Sequence, residues 1–298
     1  METNGRCEAS GVSRSDVVPA PVLVLGAVAS VQSGAAVATK LFAQIGPGGT
    51  VFLRLALSAV LVAAIVRPKV RGRSARHLRL VAMFAVVLAA MNTLFYLSLN
   101  RIPLGIAVTV EFLGPLSVAI AGSRRALDVL WALLAALGVV LLTGGGGTLD
   151  WVGVLLAASA GACWAGYILL SQRVGRVFDG MSGLAIALVI GAVVVAPYGL
   201  VVGGRDLLLG SVLAKGAVIA LLSSAIPYSL ELAALRRLRA AVFGVLMSLE
   251  PAMAALSGLI FLDQHLQPRE WLAVFSVMVA SVGATMATRA SGATEVLG

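Results

Sequence analysis

Charged residues are so sparse along this chain that they divide it into apolar runs of nearly constant length. Asp16 and Lys40 bound 17–39, Arg79 and Arg101 bound 80–100, and Asp128 and Asp150 bound 129–149. Asp150 and Arg173 bound 151–172, Asp179 and Arg205 bound 180–204, and Glu270 and Arg289 bound 271–288. Each run holds at least 18 residues, the length at which a helix rising about 1.5 Å per residue approaches the thickness of a roughly 30 Å hydrocarbon layer. Four further runs of similar length carry one ionisable residue each: 41–66 with Arg54, 102–123 with Glu111, 216–235 with Glu231 and 240–262 with Glu250. The pattern predicts an all-α integral membrane protein of ten transmembrane helices. The run 41–66 should be shortened by a turn at Gly46-Pro47-Gly48-Gly49. A buried helix of a soluble domain accounts for one such run, not for ten in succession.

Composition agrees: 60% of the 298 residues are hydrophobic and 12% charged, about half the charged share of a soluble domain. The net charge of +9 would point to nucleic acid in a soluble protein, but here the cations sit between the apolar runs. With a cytoplasmic N-terminus, the inside segments hold 16 Lys and Arg and the outside segments five, as the positive-inside rule requires. The basic stretch 67–79 is therefore read as a topology anchor, and no nucleic-acid partner is expected. Both termini fall in the cytoplasm. The polar N-terminal residues and long first run do not resemble a cleavable signal.

The two halves resemble each other weakly. At an offset of 136, Leu99, Arg101, Pro115, Ala119 and Gly122 fall on Leu235, Arg237, Pro251, Ala255 and Gly258. Five helices per unit is an odd number, so the second unit must be inverted relative to the first, an arrangement found in secondary transporters with the solute site between the repeats. The expected organisation is a tail over 1–16, a first repeat over 17–146, a second over 150–288 and a tail over 289–298.

A charge at the bilayer centre costs about 2.5–3.5 kcal/mol on insertion scales, so such residues face a cavity or a partner. Glu111 and Glu250 lie near the middle of their runs and are candidate proton carriers or anchors for an ammonium group; the alternative is a neutral acid hydrogen-bonded between helices. Pro115 removes the helical hydrogen bond to the Glu111 carbonyl, and Pro251 that to the Met247 carbonyl, so both are expected helix breaks at the depth of the carboxyls. Arg54 could hold a substrate carboxylate or form a structural ion pair. Lys40 ends the first span, where snorkelling competes with a site role. Glu231 lies near Arg236 and Arg237, where an interfacial salt bridge is the alternative. Uncharged polar candidates include Gln32, Ser33, Tyr167, Gln172 and Tyr228, together with Asn92 and Tyr96, which are four residues apart on one helical face. His77 and His265 fall in loops, Cys7 and Cys163 form no pair or metal motif, and no phosphate loop, nucleophile elbow or zinc motif occurs. No cofactor, no metal and no enzyme activity is expected.

Several stretches resemble the EamA transporters of the drug/metabolite transporter superfamily: PLGIAVTVEFLGPLSVAI from Pro103, FGVLMSLEPAMAALSG from Phe243, AIPYSLELAALRRL from Ala225, GACWAGYILLSQRVG from Gly161 and FLRLALSAVL from Phe52. GIAV…EFLGPL and LMSLEPA together with YSLE look most like the threonine/homoserine exporter branch. The resemblance covers about 20–288. It implies a ten-helix bacterial inner-membrane exporter with two inverted repeats, a central cavity and small amino acids as substrate, driven by the proton gradient. An exporter of other metabolites or drugs is the alternative on the same fold, and a membrane enzyme or scaffold the alternative of another class.

Overall fold

The computed structural model describes residues 18–68, 73–121, 127–143, 150–238 and 240–295. All regular structure among them is helical: α1 (Ala20–Thr39), α2 (Phe42–Val66), α3 (Ala75–Leu99), α4 (Leu104–Glu111), α5 (Leu113–Ala121), α6 (Leu127–Thr143), α7 (Trp151–Gly175), α8 (Ser182–Gly203), α9 (Gly210–Ala220), α10 (Ile226–Leu235), α11 (Ala240–Met247), α12 (Glu250–Leu262) and α13 (Pro268–Glu295). Among the described residues, eight stretches are long and apolar enough to cross a membrane: α1, α2, α3, Leu104–Ala121, α7, Ser182–Leu208, Gly210–Leu235 and Val242–Leu262. The protein is a multi-pass membrane protein. Among the described residues, the run expected at 129–149 holds a shorter apolar helix, Val129–Gly138, and the run at 271–288 lies within α13. These two helices pack on each other.

Several boundaries differ from those read off the charges. α3 begins at Ala75, not 80, because Ser74 caps it by accepting a hydrogen bond from the His77 amide. Arg76, His77 and Arg79 thus stand on the first turns of a helix rather than in a loop. Likewise α9 starts at Gly210, so Lys215 sits on a helix and donates to Gln44. A cation bounds a hydrocarbon-spanning length, but a helix continues into the headgroup region, where water satisfies the charge. The turn at Gly46 is present: its φ of 64° and ψ of 170° interrupt α2, a left-handed backbone that favours glycine before a proline.

Two spans are broken in mid-course. α4 stops at Glu111 and α5 resumes at Leu113; α11 stops at Met247 and α12 resumes at Glu250. Pro115 is the third residue of α5 and Pro251 the second of α12, where a missing amide proton costs little. A π-helical stretch over Leu221–Ala225 joins α9 to α10.

The packing follows the small residues. α2 lies on α8, α3 on α7 and α8, α1 on α10 and α12, and α4 on α7 and α12. A Cβ on Gly105 would stand 2.8 Å from the Ala255 Cα, and one on Gly49 would stand 3.0 Å from the Gly203 Cα. Backbones approach this closely where glycine leaves the space, the usual basis of helix association in lipid. α3 and α7 run antiparallel and are clasped at both ends. At one end Ser98 donates to the Gly153 carbonyl (2.9 Å) and Arg101 meets Asp150 (2.7 Å). At the other, Arg73 donates to the Val177 carbonyl (2.9 Å), lies 3.5 Å from Asp179 and stacks on Phe178.

Candidate functional site

The broken spans, the π-helical stretch and the polar positions of α1, α2, α3 and α10 meet around one interior cavity of about 250 Å³. α1 contributes Gln32, α2 Arg54 and Ser58, α3 Asn92, α4 Glu111, α7 Trp164 and Tyr167, α10 Tyr228 and Glu231, and α12 Glu250. Ser223 and Ser224 enter from the π-helical stretch, and Leu55, Leu88, Phe95, Val108 and Leu188 form an apolar wall. Three carboxyl groups and one guanidinium therefore share one small space inside a lipid-facing bundle.

Each group is held by its helix in a definable way. Arg54 donates to the Tyr96 hydroxyl (3.2 Å) and lies over the same ring, 5.5 Å from its centroid. Tyr96 is fully buried, so its phenol is a fixed post that aims the guanidinium at the cavity. The Gln32 amide donates to Glu250 Oε1 (3.1 Å), while Gln32 Oε1, Glu250 Oε2 and the Ser223 hydroxyl are buried without a partner among the described residues. Asn92 donates to the Leu88 carbonyl one turn back (2.8 Å), and Ser58 and Ser224 bridge α2 to the π-helical stretch (2.8 Å). Glu111 is 8% exposed and Glu250 7%, and Glu111 feels the charges of both Glu250 and Arg54.

The position of Glu111 depends on backbone contact. A Cβ on Gly161 of α7 would lie 2.6 Å from the Glu111 carbonyl oxygen, and one on Gly114 would collide with the Gly161 carbonyl. The carbonyl released by Pro115 is thus packed against α7 rather than open to the cavity. Two facing glycines bring α7 directly onto the break.

Of the residues singled out from sequence, Arg54, Asn92, Glu111, Tyr228, Glu231 and Glu250 line the cavity. Tyr96 stands behind Arg54, and Pro115 and Pro251 sit just past the two breaks. Lys40 is not brought in: it is exposed at the end of α1, in the tight turn to α2. Gln32 and Tyr167, among the uncharged polar candidates from sequence, also line the cavity, whereas Ser58, Ser223 and Ser224 were not singled out. Ser58 was legible as the residue one helical turn from Arg54, and the paired serines four and three residues before Pro227 break an otherwise apolar run.

Comparison with known proteins agrees with this geometry. The profile of the EamA-like transporter family matches residues 151–286. The Threonine/homoserine exporter RhtA of Escherichia coli strain K12 is 46% identical over 272 residues, covering 90% of this chain and 92% of the exporter. The protein of that name from Salmonella typhimurium strain LT2 is 45% identical over 284 residues, 94% and 96% of the two chains. The Uncharacterized transporter YwfM of Bacillus subtilis strain 168 is 28% identical over 222 residues, 70% of this chain and 74% of its own. A solved crystal structure shares the fold with a TM-score of 0.62 at 19% identity, covering 93% of this chain and 99% of its own. The chain belongs to the EamA-like transporter family.

Proposed function

We propose that this protein exports small amino acids of the threonine/homoserine type across the bacterial inner membrane, coupled to inward proton flow. The relatives that bear this name align over nine-tenths of the chain. The single observation that carries the mechanism is the shared cavity holding Arg54, Glu111, Glu231 and Glu250. A zwitterionic amino acid presents one cation and one carboxylate, and such a lining offers a partner for each. The substrate ammonium would meet Glu111 or Glu250 and its carboxylate Arg54, with Asn92, Tyr228 and Glu231 completing the wall and Tyr96 holding Arg54. Binding in a space poor in water strengthens both contacts. A proton taken up by a glutamate from the outer side would then discharge the ammonium and reset the carrier. The apolar wall of Leu55, Leu88 and Phe95 favours the second reading on the same fold, export of other metabolites or amphipathic drugs.

We further propose ten spans in two inverted five-helix repeats, 17–146 and 150–288, with 1–16, 289–298 and both termini in the cytoplasm. Two features support the repeat. The offset of 136 that aligns Pro115 with Pro251 also aligns Glu111 with Met247, the last residues before the two breaks. The helix contacts also survive exchange of the halves: α3 on α7 answers α1 on α10, α4 on α7 answers α1 on α11, α5 on α7 answers α1 on α12, and α2–α8 and α6–α13 map onto themselves. Exchange through such an axis gives rocking of one repeat against the other around a fixed site.

The test is efflux of labelled threonine, assayed as uptake into everted vesicles between pH 6 and 8. Glu111→Gln and Glu250→Gln should each abolish proton-driven accumulation, and the pair should leave the rate flat with pH. Wild-type uptake by both variants across that range would end the proton role. Protection by amphipathic drugs but not threonine in competition would favour the second reading.

A further inference from the structure

We propose that a groove between the start of α3 and the end of α7, sharing no lining residue with the interior cavity, binds the phosphate headgroup of an anionic phospholipid. The groove encloses about 640 Å³ and presents Arg76 and Arg79 from α3 beside Arg173 and Arg176 from the end of α7. All four arginines are exposed, and among the described residues none of them takes part in an ion pair. The acid nearest in sequence, Asp179, is engaged by Arg73, which also holds Val177 and stacks on Phe178. Arg73 therefore serves as the clasp that brings the two helix ends together, leaving the other four arginines gathered on one groove with no ion-pair partner among the described residues. Like charges gathered this way repel, and an anion of matching size relieves the repulsion.

The membrane end of the groove distinguishes a lipid from a dissolved anion. One helical turn deeper on α3, Arg79 is followed on the same face by Met83, which is 59% exposed. One turn deeper on α7, Arg173 is preceded by Leu169, 47% exposed. Each helix thus carries a cation at headgroup depth above an unpacked apolar side chain at acyl depth. A molecule with phosphate above and hydrocarbon below satisfies both levels. Guanidinium forks take phosphate in bidentate fashion, and basic pockets between membrane helices are the general form of such sites. Phosphatidylglycerol or cardiolipin has this chemistry; phosphatidylethanolamine, whose ammonium offsets its phosphate, does not.

The full-length protein in detergent would be titrated with phosphatidylglycerol, phosphatidylethanolamine and inorganic phosphate, with bound lipid counted by native mass spectrometry and stability followed as Tm. An arginine near an anionic headgroup contributes roughly a fivefold factor in affinity, so Arg173→Gln with Arg176→Gln should weaken phosphatidylglycerol binding by roughly 25-fold and remove its effect on Tm. Arg76→Gln with Arg79→Gln, on the other wall, should do the same and serves if the first pair folds poorly. Arg205→Gln, in the connection after α8, should bind like wild type. Equal binding of phosphatidylethanolamine, displacement by millimolar inorganic phosphate, or undiminished binding in both double variants would overturn the proposal.

Discussion

Gly161→Ala should cripple transport by moving Glu111, although the three atoms nearest the added Cβ are all backbone. The new Cβ would stand 2.6 Å from the Glu111 carbonyl oxygen, 3.2 Å from its carbonyl carbon and 3.3 Å from its Cα. Ordinary contact begins at 3.4 Å, so α7 and the α4–α5 break must separate by about 0.8 Å, the difference of those distances. These three nearest atoms are backbone, and no rotamer change can move them aside. Overpacking of this kind costs about 1–3 kcal/mol, set against a gain of about 1 kcal/mol from replacing glycine by alanine in a helix. The net loss of stability should therefore be at most about 2 kcal/mol, while a displacement near 1 Å at a geometry-dependent site costs on the order of 100-fold in rate. Gly166→Ala is the internal control: it lies on the same helix, and its Cβ would meet only the Val87 side chain at 3.6 Å. That variant should keep wild-type export with an equal or higher Tm. Both would be measured by threonine uptake into everted vesicles and by thermal unfolding in detergent. Wild-type rates in Gly161→Ala, or equal losses in the two variants, would refute the argument that backbone contact at Gly161 positions the carboxyl.

Arg54→Ala removes the cation and strands the Tyr96 hydroxyl; loss of a charge-assisted hydrogen bond of about 1.5–3 kcal/mol predicts a roughly 10- to 150-fold weaker apparent affinity for threonine in competition uptake, with Arg54→Lys recovering only part because it lacks the planar fork. Lys40→Gln should leave uptake within about twofold of wild type, since the side chain is exposed outside the cavity; a larger loss would bring that end of α1 into the pathway. The hydrogen bond from Arg101, followed by the amides of Gly153 and Val152, holds the Asp150 carboxyl below its ordinary range. A depressed folded value means the stabilisation is present above the unfolded pKa of about 3.9 and is lost as the pH falls through the folded value. Arg101→Gln should therefore lower Tm at pH 7, and its difference from wild type should narrow under acid; a constant difference from pH 7 to pH 3 would exclude that linkage.

Much of the fold was legible because lipid imposes a length and leaves no room for stray charge. Asp150 marked both a boundary and a cap, since its carboxylate accepts from the Val152 and Gly153 amides. The boundaries that moved did so where Ser74 or Gly210 lets a helix run on into the headgroup layer, beyond what hydrophobicity encodes. In the site, ionisable residues inside apolar runs gave Arg54, Glu111, Glu231 and Glu250 directly, because their placement is costly without a polar surrounding. Gln32 and the serines at 58, 223 and 224 carry no such cost and are common in membrane helices as local hydrogen-bonders. Only the three-dimensional convergence of α1, α2 and the π-helical stretch distinguishes them. Lys40, unlike Arg54, ends its run in the sequence, where snorkelling competed with a site role, and it is exposed at the end of α1 outside the cavity lining.

The two glutamates occupy unlike positions despite the matching breaks, and this difference bears on how the cycle could work. Glu111 is the last residue before its break and Glu250 the first after its own, so one sits at a helix C-terminal end and the other in a first helical turn. The partial charges there are opposite, with exposed amides favouring an anion and exposed carbonyls a cation. Glu250 accordingly has its own helix start and the Gln32 amide to support a carboxylate. Glu111 has the end of α4 behind it, with Arg54 across the space. At a C-terminal helix end the exposed carbonyls add to the attraction of the carboxyl for a substrate ammonium, whereas at a helix start the amides oppose a cation. On the proposed mechanism the roles therefore divide, Glu111 meeting the substrate ammonium beside the exposed carbonyls of α4 and Glu250 held in place by the Gln32 amide at the start of α12. Inverted repeats permit that division because equivalent breaks need not carry their acid on the same side.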